Sequence, residues 1–281
     1  MRNNTNFFKN RDLLIVTKHK KEQVIAPLFQ NNLGVKCVLS KQFDTDTLGT
    51  FSGEIERQQN ALETLKLKCL IAMEQDGYDL AIATEGSFGN HPTVFFAPAN
   101  DELILLYDKK NNFFIFERHL SLETNFNTQK ITSRAELDSF LEAVNFPSHA
   151  VIVKDKDKNW STLNKGIHDI QIIEKFFEET NGSFFIETDM RAMHNPTRMR
   201  IIEEVSNKLL DKINSICPNC HIPGFGVVSA EAGLLCDSCS MPTKSILAHI
   251  YQCQNCNYEL KKMHPNNKET EDPMYCDFCN P

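Results

Sequence analysis

Four Cys-x-x-Cys pairs close the chain: Cys217 with Cys220, Cys236 with Cys239, Cys253 with Cys256, and Cys276 with Cys279. They hold eight of the ten cysteines, and no other feature limits the fold so strongly. A Cys-x-x-Cys turn aims two thiolates at one point, and a second turn completes a tetrahedron around zinc. Eight such thiolates predict two structural zinc ions. The first two pairs are separated by 15 residues and the last two by 19. Each spacing suits a zinc ribbon, so the pairs are expected to close in sequence, first with second and third with fourth. A cross-braced alternative joins first with third and second with fourth. His221, His249 and His264 are spare ligands, but eight cysteines already suffice. A site closed by four cysteines leaves no position for substrate, so catalysis is not expected there. A disulfide framework is the competing reading. The stretch MRNNTNFFKNRDLLIVTKHK has no long apolar core, which disfavours it and leads us to expect a cytoplasmic protein.

Charge narrows the partners. Residues 217–281 carry four lysines, no arginine and seven acids, a balance of −3. Each four-thiolate zinc site adds about −2. Nucleic acid requires a basic footprint, so it is not the expected partner. A protein contact fits better, with Pro223-Gly224-Phe225-Gly226, Leu234 and Leu235 as its apolar part. The whole chain has net charge −7, which also disfavours an anionic membrane. No apolar run approaches the length of a membrane span.

Residues 1–216 read as an α/β domain. Residues 12–17 (DLLIVT) suit a buried strand. A helix with Val24, Ile25, Leu28 and Phe29 follows, Gly34 closes it, and residues 35–39 form a second strand. This is the opening of a βαβ unit. A long helix over about residues 54–75 places Ala61, Leu62, Leu65, Cys69, Leu70 and Met73 at helical spacing. Residues 80–83 are the next strand, and Thr84-Glu85-Gly86-Ser87-Phe88-Gly89 is the loop leaving it. TVFFA, ELILLY and FFIFER read as three short strands, the last two forming a hairpin, which makes the sheet mixed. Ser133-Arg134-Ala135-Glu136 is a capping box. Strands at 149–154 and 183–186 enclose a helix near 167–180. Asn195-Pro196 caps and opens a last helix reaching about Ser215. The expected fold class is α/β, a mixed β-sheet flanked by helices, followed by a small zinc-ribbon-like module over residues 217–281.

Four polar loops follow strands, where ligands of α/β proteins bind. In the first, Lys18, His19 and Lys20 stand beside free helix amides and suit a phosphate. The second holds Asp44, Asp46 and Glu54. The third offers Glu85 and Ser87 between glycines. The fourth gathers Glu187, Asp189, Arg191 and Arg198. Arg198 and Arg200 stand in the first turn of a helix, where the dipole disfavours cations by about 0.3–1 kcal/mol each. An anionic ligand, an internal acid or a salt-bridge network would offset this. Glu54, Glu85, Glu187 and Asp189 would converge on Mg²⁺ beside a phosphate. The plainer alternatives are solvated helix starts, turn caps and surface carboxylates. The chain has no GxSxG, Walker A, HExxH or GxGxxG motif. Cys37 and Cys69 fall in apolar segments, so a cysteine nucleophile is not expected.

TKHKKE, DTDTLGTFSGE, TEGSFGNHP, ETDMRAMHNPTR, CPNC followed by PGFG, and CDSC together resemble an uncharacterised bacterial protein family, a domain of unknown function. The resemblance covers nearly the whole chain and brings no activity with it. It implies a zinc module ending near residue 260. A fainter similarity is to the inosine triphosphate pyrophosphatase-like fold. It rests on residues 17–20, 50–54, 85–87 and 195–198. That similarity implies phosphate binding by Lys18 and Lys20, Mg²⁺ on Glu54 and Glu85, and a nucleotide clamp at Arg198. That fold's paired asparagine-alanine helix start and serine-histidine-arginine tripeptide are absent in strict form. Two readings follow. One is a Mg²⁺-assisted enzyme of a nucleotide or other phosphorylated small molecule, a pyrophosphatase-like hydrolase in which Glu85 or Glu187 positions a metal-activated water. The other is a non-enzymatic adaptor whose zinc module docks a protein partner.

Overall fold

The structure is a computed structural model that describes residues 7–43, 61–154 and 163–281. Two compact units divide the chain. One runs to Asn112 and resumes over Phe116–Leu209; the other takes Phe113–Ile115 and Leu210–Pro281.

The first unit opens with β1 (Asp12–Val16), α1 (Glu22–Leu33) and β2 (Lys36–Leu39). The apolar run Leu13-Leu14-Ile15-Val16 is at most 2% exposed, as a central strand should be. Gly34 ends α1 in the left-handed region at φ 65°, with its N–H donated to Gln30 O. Next come α2 (Ala61–Asp76), β3 (Leu80–Asn90), β4 (Pro98–Asp108) and β5 (Phe113–Ser121). The sheet order is β2-β1-β3-β4-β5. β1 runs parallel to both β2 and β3, while β3 and β4 are antiparallel, so the sheet is mixed. β2 and β3 lie on opposite sides of β1, so the winding reverses there. The C-terminal ends of β1 and β3 form the switch point at which such sheets hold ligands.

Two expectations change here. The Gly-Ser stretch 84–89 is strand rather than loop: β3 pairs residue for residue with β4 from Leu80↔Asp108 to Asn90↔Pro98. TVFFA is not a strand but the hairpin tip. His91 Nδ1 accepts the N–H groups of Thr93 (3.2 Å) and Val94 (3.0 Å), which curls the chain back before β4.

The later strands of this unit build a second, antiparallel sheet instead of joining the first. Its order is β6-β9-β7-β8, with β6 (Thr128–Ile131), β7 (Val151–Lys154), β8 (Leu163–Ile167) and β9 (Phe184–Thr188). Helices α3 (Arg134–Ala143) and α4 (Ile170–Glu179) share its core, where Leu137, Phe140 and Ile173 meet Val153, Phe184 and Ile186. The capping box is present in shifted form: Ser133 Oγ accepts Glu136 N–H, while the Glu136 carboxylate accepts the N–H of Thr132. Ile167 ends β8 rather than starting a helix, and Asp169 caps α4. The last helix, α5 (Pro196–Asn214), starts at the expected Asn-Pro signal.

The second unit carries a three-stranded antiparallel meander, β10 (Phe225–Ala232), β11 (Ile246–Cys253) and β12 (Glu259–Met263). Cys217, Phe225 and Cys253 form one buried cluster, packed by Tyr251 and Tyr258, and Leu234, Cys236, Ala248 and Cys276 are buried as well.

Candidate functional site

Each cysteine pair sits in a tight turn of one repeating design. Cys217 N–H donates to Ile222 O, and His221 N–H donates back to Cys217 O, both at 3.0 Å. Cys236 and Cys253 repeat this with Met241 and Ser240, and with Tyr258 and Asn257; Asn280 N–H bonds Cys276 O likewise. The residue after the second cysteine turns left-handed, at φ 60° for His221 and 57° for Ser240 and Asn257. His221 therefore serves the turn.

The strands decide which turns meet. β10 leads from the first turn to the second, β11 returns to the third, and β12 departs toward the fourth. Odd turns share one end of the meander and even turns the other. The tetrads are Cys217, Cys220, Cys253, Cys256 and Cys236, Cys239, Cys276, Cys279. This corrects the sequential pairing. A sequential ribbon needs a hairpin within the 15-residue interval, whereas that interval holds the single eight-residue strand β10. Within each tetrad the sulfurs lie within 4.8 Å of one another, and the closest contacts are 3.6–3.8 Å. Tetrahedral zinc with Zn–S bonds of about 2.3 Å sets its sulfurs about 3.8 Å apart. A disulfide requires about 2.05 Å. The tetrads could therefore hold two metal ions, with spacing compatible with zinc.

Two asparagines brace the first tetrad reciprocally: Asn219 Nδ2 donates to Cys256 Sγ at 3.6 Å and Asn255 Nδ2 to Cys220 Sγ at 3.7 Å. Burial pushes the Cys253 thiol up to about 12, while the Asn219 amide draws Cys256 down to about 6. In the second tetrad the Cys239 side chain pushes Cys279 up to about 12, and the N–H of Cys279 draws Cys276 down to about 7. Adjacent thiols that resist ionising together are the kind of donor set a dication ionises fully. Glu271 ties the fourth turn to the second. Its N–H donates to Leu235 O (2.7 Å), and its carbonyl accepts Asp237 N–H (2.9 Å).

A second polar cluster lies in the first unit. Strand alternation sorts it onto two faces of β3. Thr84, Gly86 and Phe88 share one face with Ile104, Glu102 and Asn100 of β4; Glu85 and Ser87 lie on the other with Leu103 and Asp101. On the first face, Lys21 Nζ donates to Thr84 Oγ1 at 2.8 Å and Arg198 Nε to Glu102 Oε1 at 2.7 Å. Arg198 also donates to Met190 O and lies 5.1 Å over the Phe88 ring. On the second face Lys68, from α2, holds Glu85 at 2.5 Å. All five charged groups are at most 7% exposed, three cations against two carboxylates. Burial first, then the neighbouring Arg198, pushes Lys21 down to about 7.

Glycine is required at position 86. A Cβ there would fall on Glu102 Oε1 and lie 2.6 Å from Arg198 Nη2. Beside this crossing, both amide atoms of Asn100 and Oε2 of Glu102 are buried without a hydrogen-bond partner among the described residues, as is Oγ1 of Thr17 just after β1. Each such group costs about 1–3 kcal/mol unless a bound molecule satisfies it.

Residues 68–281 match the family described as Domain of unknown function (DUF6671). The chain belongs to that family. The match extends past residue 260, so the fourth cysteine pair falls inside the family's own span. No curated protein matches the chain.

This member of the family gathers only some of the expected site residues. Lys18 and Lys20 are exposed and His19 half-buried, while the next residue, Lys21, is the one turned inward. Glu85 and Arg198 belong to the same buried neighbourhood but to opposite faces of β3. Ser87 is exposed. Glu187, on β9, is held by Lys154 at 2.6 Å. Asp189 is fully buried and takes Arg191 at 2.6 Å and the N–H of Gly166 at 2.9 Å. Burial would raise its carboxyl, but the Arg191 bonds outweigh this and hold it low. Arg200 pairs with Glu123. Asp44, Asp46 and Glu54 lie outside the described residues. Glu85, Glu187 and Asp189 thus each have a cation of their own. Among the described residues, the two tetrads are the groups of three or more His, Cys, Asp or Glu that gather at ligand distance. Lys21, Lys68, Asn100 and Glu102 were missed by sequence reading; the polar alternation Asn100-x-Glu102 at the head of β4 was the available signal. No helix among the described residues is long and apolar enough to cross a membrane.

Proposed function

We propose that the α/β unit binds a phosphorylated small molecule, while two zinc ions hold the C-terminal module together. The observation that carries the first part is the cluster at the β1/β3 switch point. Lys21 and Arg198 are buried there beside Glu102, and among the described residues Asn100, Glu102 and Thr17 keep hydrogen-bonding capacity unused. An anion would hold the proton on Lys21 against the burial and the neighbouring Arg198 that push its pKa down to about 7. Buried charge without such a partner is unfavourable. A nucleotide or sugar phosphate brings both the anion and polar groups for the rest. Zinc would be held by the two cysteine tetrads. It would supply cross-links rather than catalysis, since protein thiolates take all four positions.

The test is thermal unfolding of the purified chain with inorganic phosphate, ribose 5-phosphate and a nucleotide panel. A ligand at 100 times its Kd stabilises by about 2.7 kcal/mol. A shift abolished by Lys21→Met supports the reading, and no shift across the panel rejects it.

A protein-docking role is favoured by a separate observation. Leu235, Met241, Met274, Tyr275 and Phe278 flank the second tetrad and are 39–61% exposed. Exposed apolar groups clustered in this way mark contact surfaces. A photo-crosslinker at position 278 should give one discrete adduct in cells; a diffuse pattern equal to that from position 244 would count against it.

A further inference from the structure

The phosphate-binding reading leaves open what the rest of the ligand is, and Asn100 bears on that. Asn100 is 1% exposed, and neither its Nδ2 nor its Oδ1 has a partner among the described residues. It faces Phe88 across the β3–β4 ladder and stands two residues from Glu102, on the same face as the Arg198 guanidinium. Its amide therefore offers one donor and one acceptor in a single plane, beside a carboxylate oxygen, Glu102 Oε2, that also lacks a partner. We infer that Asn100 reads the edge of a nucleobase, and that the ligand class of this site is a nucleoside phosphate.

The chemistry is selective. A planar edge carrying an adjacent donor and acceptor satisfies both atoms of an asparagine amide at once, as bidentate asparagine–adenine contacts do. Glu102 Oε2 would accept an exocyclic amine or ring N–H at the same edge. A bare phosphate offers no such edge, and flexible sugar hydroxyls offer no fixed plane. Sites that bury hydrogen-bonding groups discriminate strongly, because a ligand lacking the partner leaves those groups unpaired. Phe88 is only partly buried and lies 5.7 Å from the Phe126 ring, so an aromatic wall borders the amide.

The inference rests on the phosphate reading, and calorimetric titration separates the two. AMP, GMP, CMP, UMP and ribose 5-phosphate are titrated into the full chain and into its Asn100→Leu and Asn100→Asp variants. At least one nucleotide should bind tenfold or more tightly than ribose 5-phosphate. Asn100→Leu should reduce that ratio to near one. Asn100→Asp, which keeps the shape but removes the donor, should reduce it as well. The leucine variant replaces an unpaired buried amide, so its melting temperature should not fall. Equal binding of all five compounds, or a nucleotide preference that survives both substitutions, overturns the role of Asn100 and leaves the phosphate reading standing. Binding of none of the five rejects the phosphate reading, and this inference with it.

Discussion

At Gly86 a missing side chain lets the Arg198–Glu102 pair cross the sheet. Both partners are fully buried, and neither can swing toward water to make room. Gly86→Ala should therefore destabilise by about 1–3 kcal/mol, the range for an overpacked core. Urea titration checks this, and a loss under about 0.5 kcal/mol would show that the crossing yields easily. Lys21 carries a second prediction, in pH. Its folded pKa is about 7 against an ordinary 10.5. Between those values the unfolded chain binds the extra proton, so stability rises with pH through this window and is lost as pH falls toward 7. The slope contributed cannot exceed about 1.4 kcal/mol per pH unit. Unfolding free energies of the parent and Lys21→Met, compared from pH 7 to 10, should diverge in that sense. Parallel curves would mean that Lys21 stays charged when folded. Sequence alone did not single out Lys21, because in a run of three lysines and a histidine only the turn before α1 decides which one is drawn inside.

Strand crossings, not residue spacing, set the partnership of the cysteine turns. Cys239→Ser with Cys276→Ser removes two ligands from one tetrad and none from the other, so the doubly substituted chain should keep one zinc of two. A sequential arrangement would lose both. Elemental analysis of the purified protein distinguishes these results, with Cys220→Ser plus Cys239→Ser as the converse, expected to lose both. The cysteine donor turns were legible because a Cys-x-x-Cys turn is local, with donors, turn and geometry in a few residues. The pairing was not, because it depends on whether the intervening residues fold back or cross. β3 was obscured for a related reason. Gly86, Ser87, Gly89 and Asn90 have poor strand propensity, and their extended form depends on eleven register pairs with β4. The βαβ opening, the capped helices α3 and α5 and the mixed sheet were legible from periodicity and end signals. The second sheet was not, since short apolar strands carry no mark of which neighbour they will join.

The two units differ in what holds them together. The first has two sheets and an extensive apolar core, from Phe8 to Leu209. In the second, every residue of β12 is exposed, six of eight in β10 are exposed, and from residue 217 onward the buried apolar residues are Phe225, Leu234 and Ala248 beside four cysteines. An apolar core of that size cannot offset the conformational entropy of about seventy ordered residues. Zinc at the two tetrads, as proposed, would supply the difference, since a structural zinc site contributes about 10–16 kcal/mol of apparent binding free energy at neutral pH. Stripping the zinc with a strong chelator should therefore unfold the second unit alone. Hydrogen exchange followed by mass spectrometry would show amide protection vanishing in β10, β11 and β12 while β1, β3 and β4 keep theirs. Protection that persists in the meander after complete metal removal would mean that the unit folds on its apolar contacts after all. Simultaneous loss in β1 and β3 would mean that the first unit depends on the metal as well, and that the protein responds to zinc as one cooperative body.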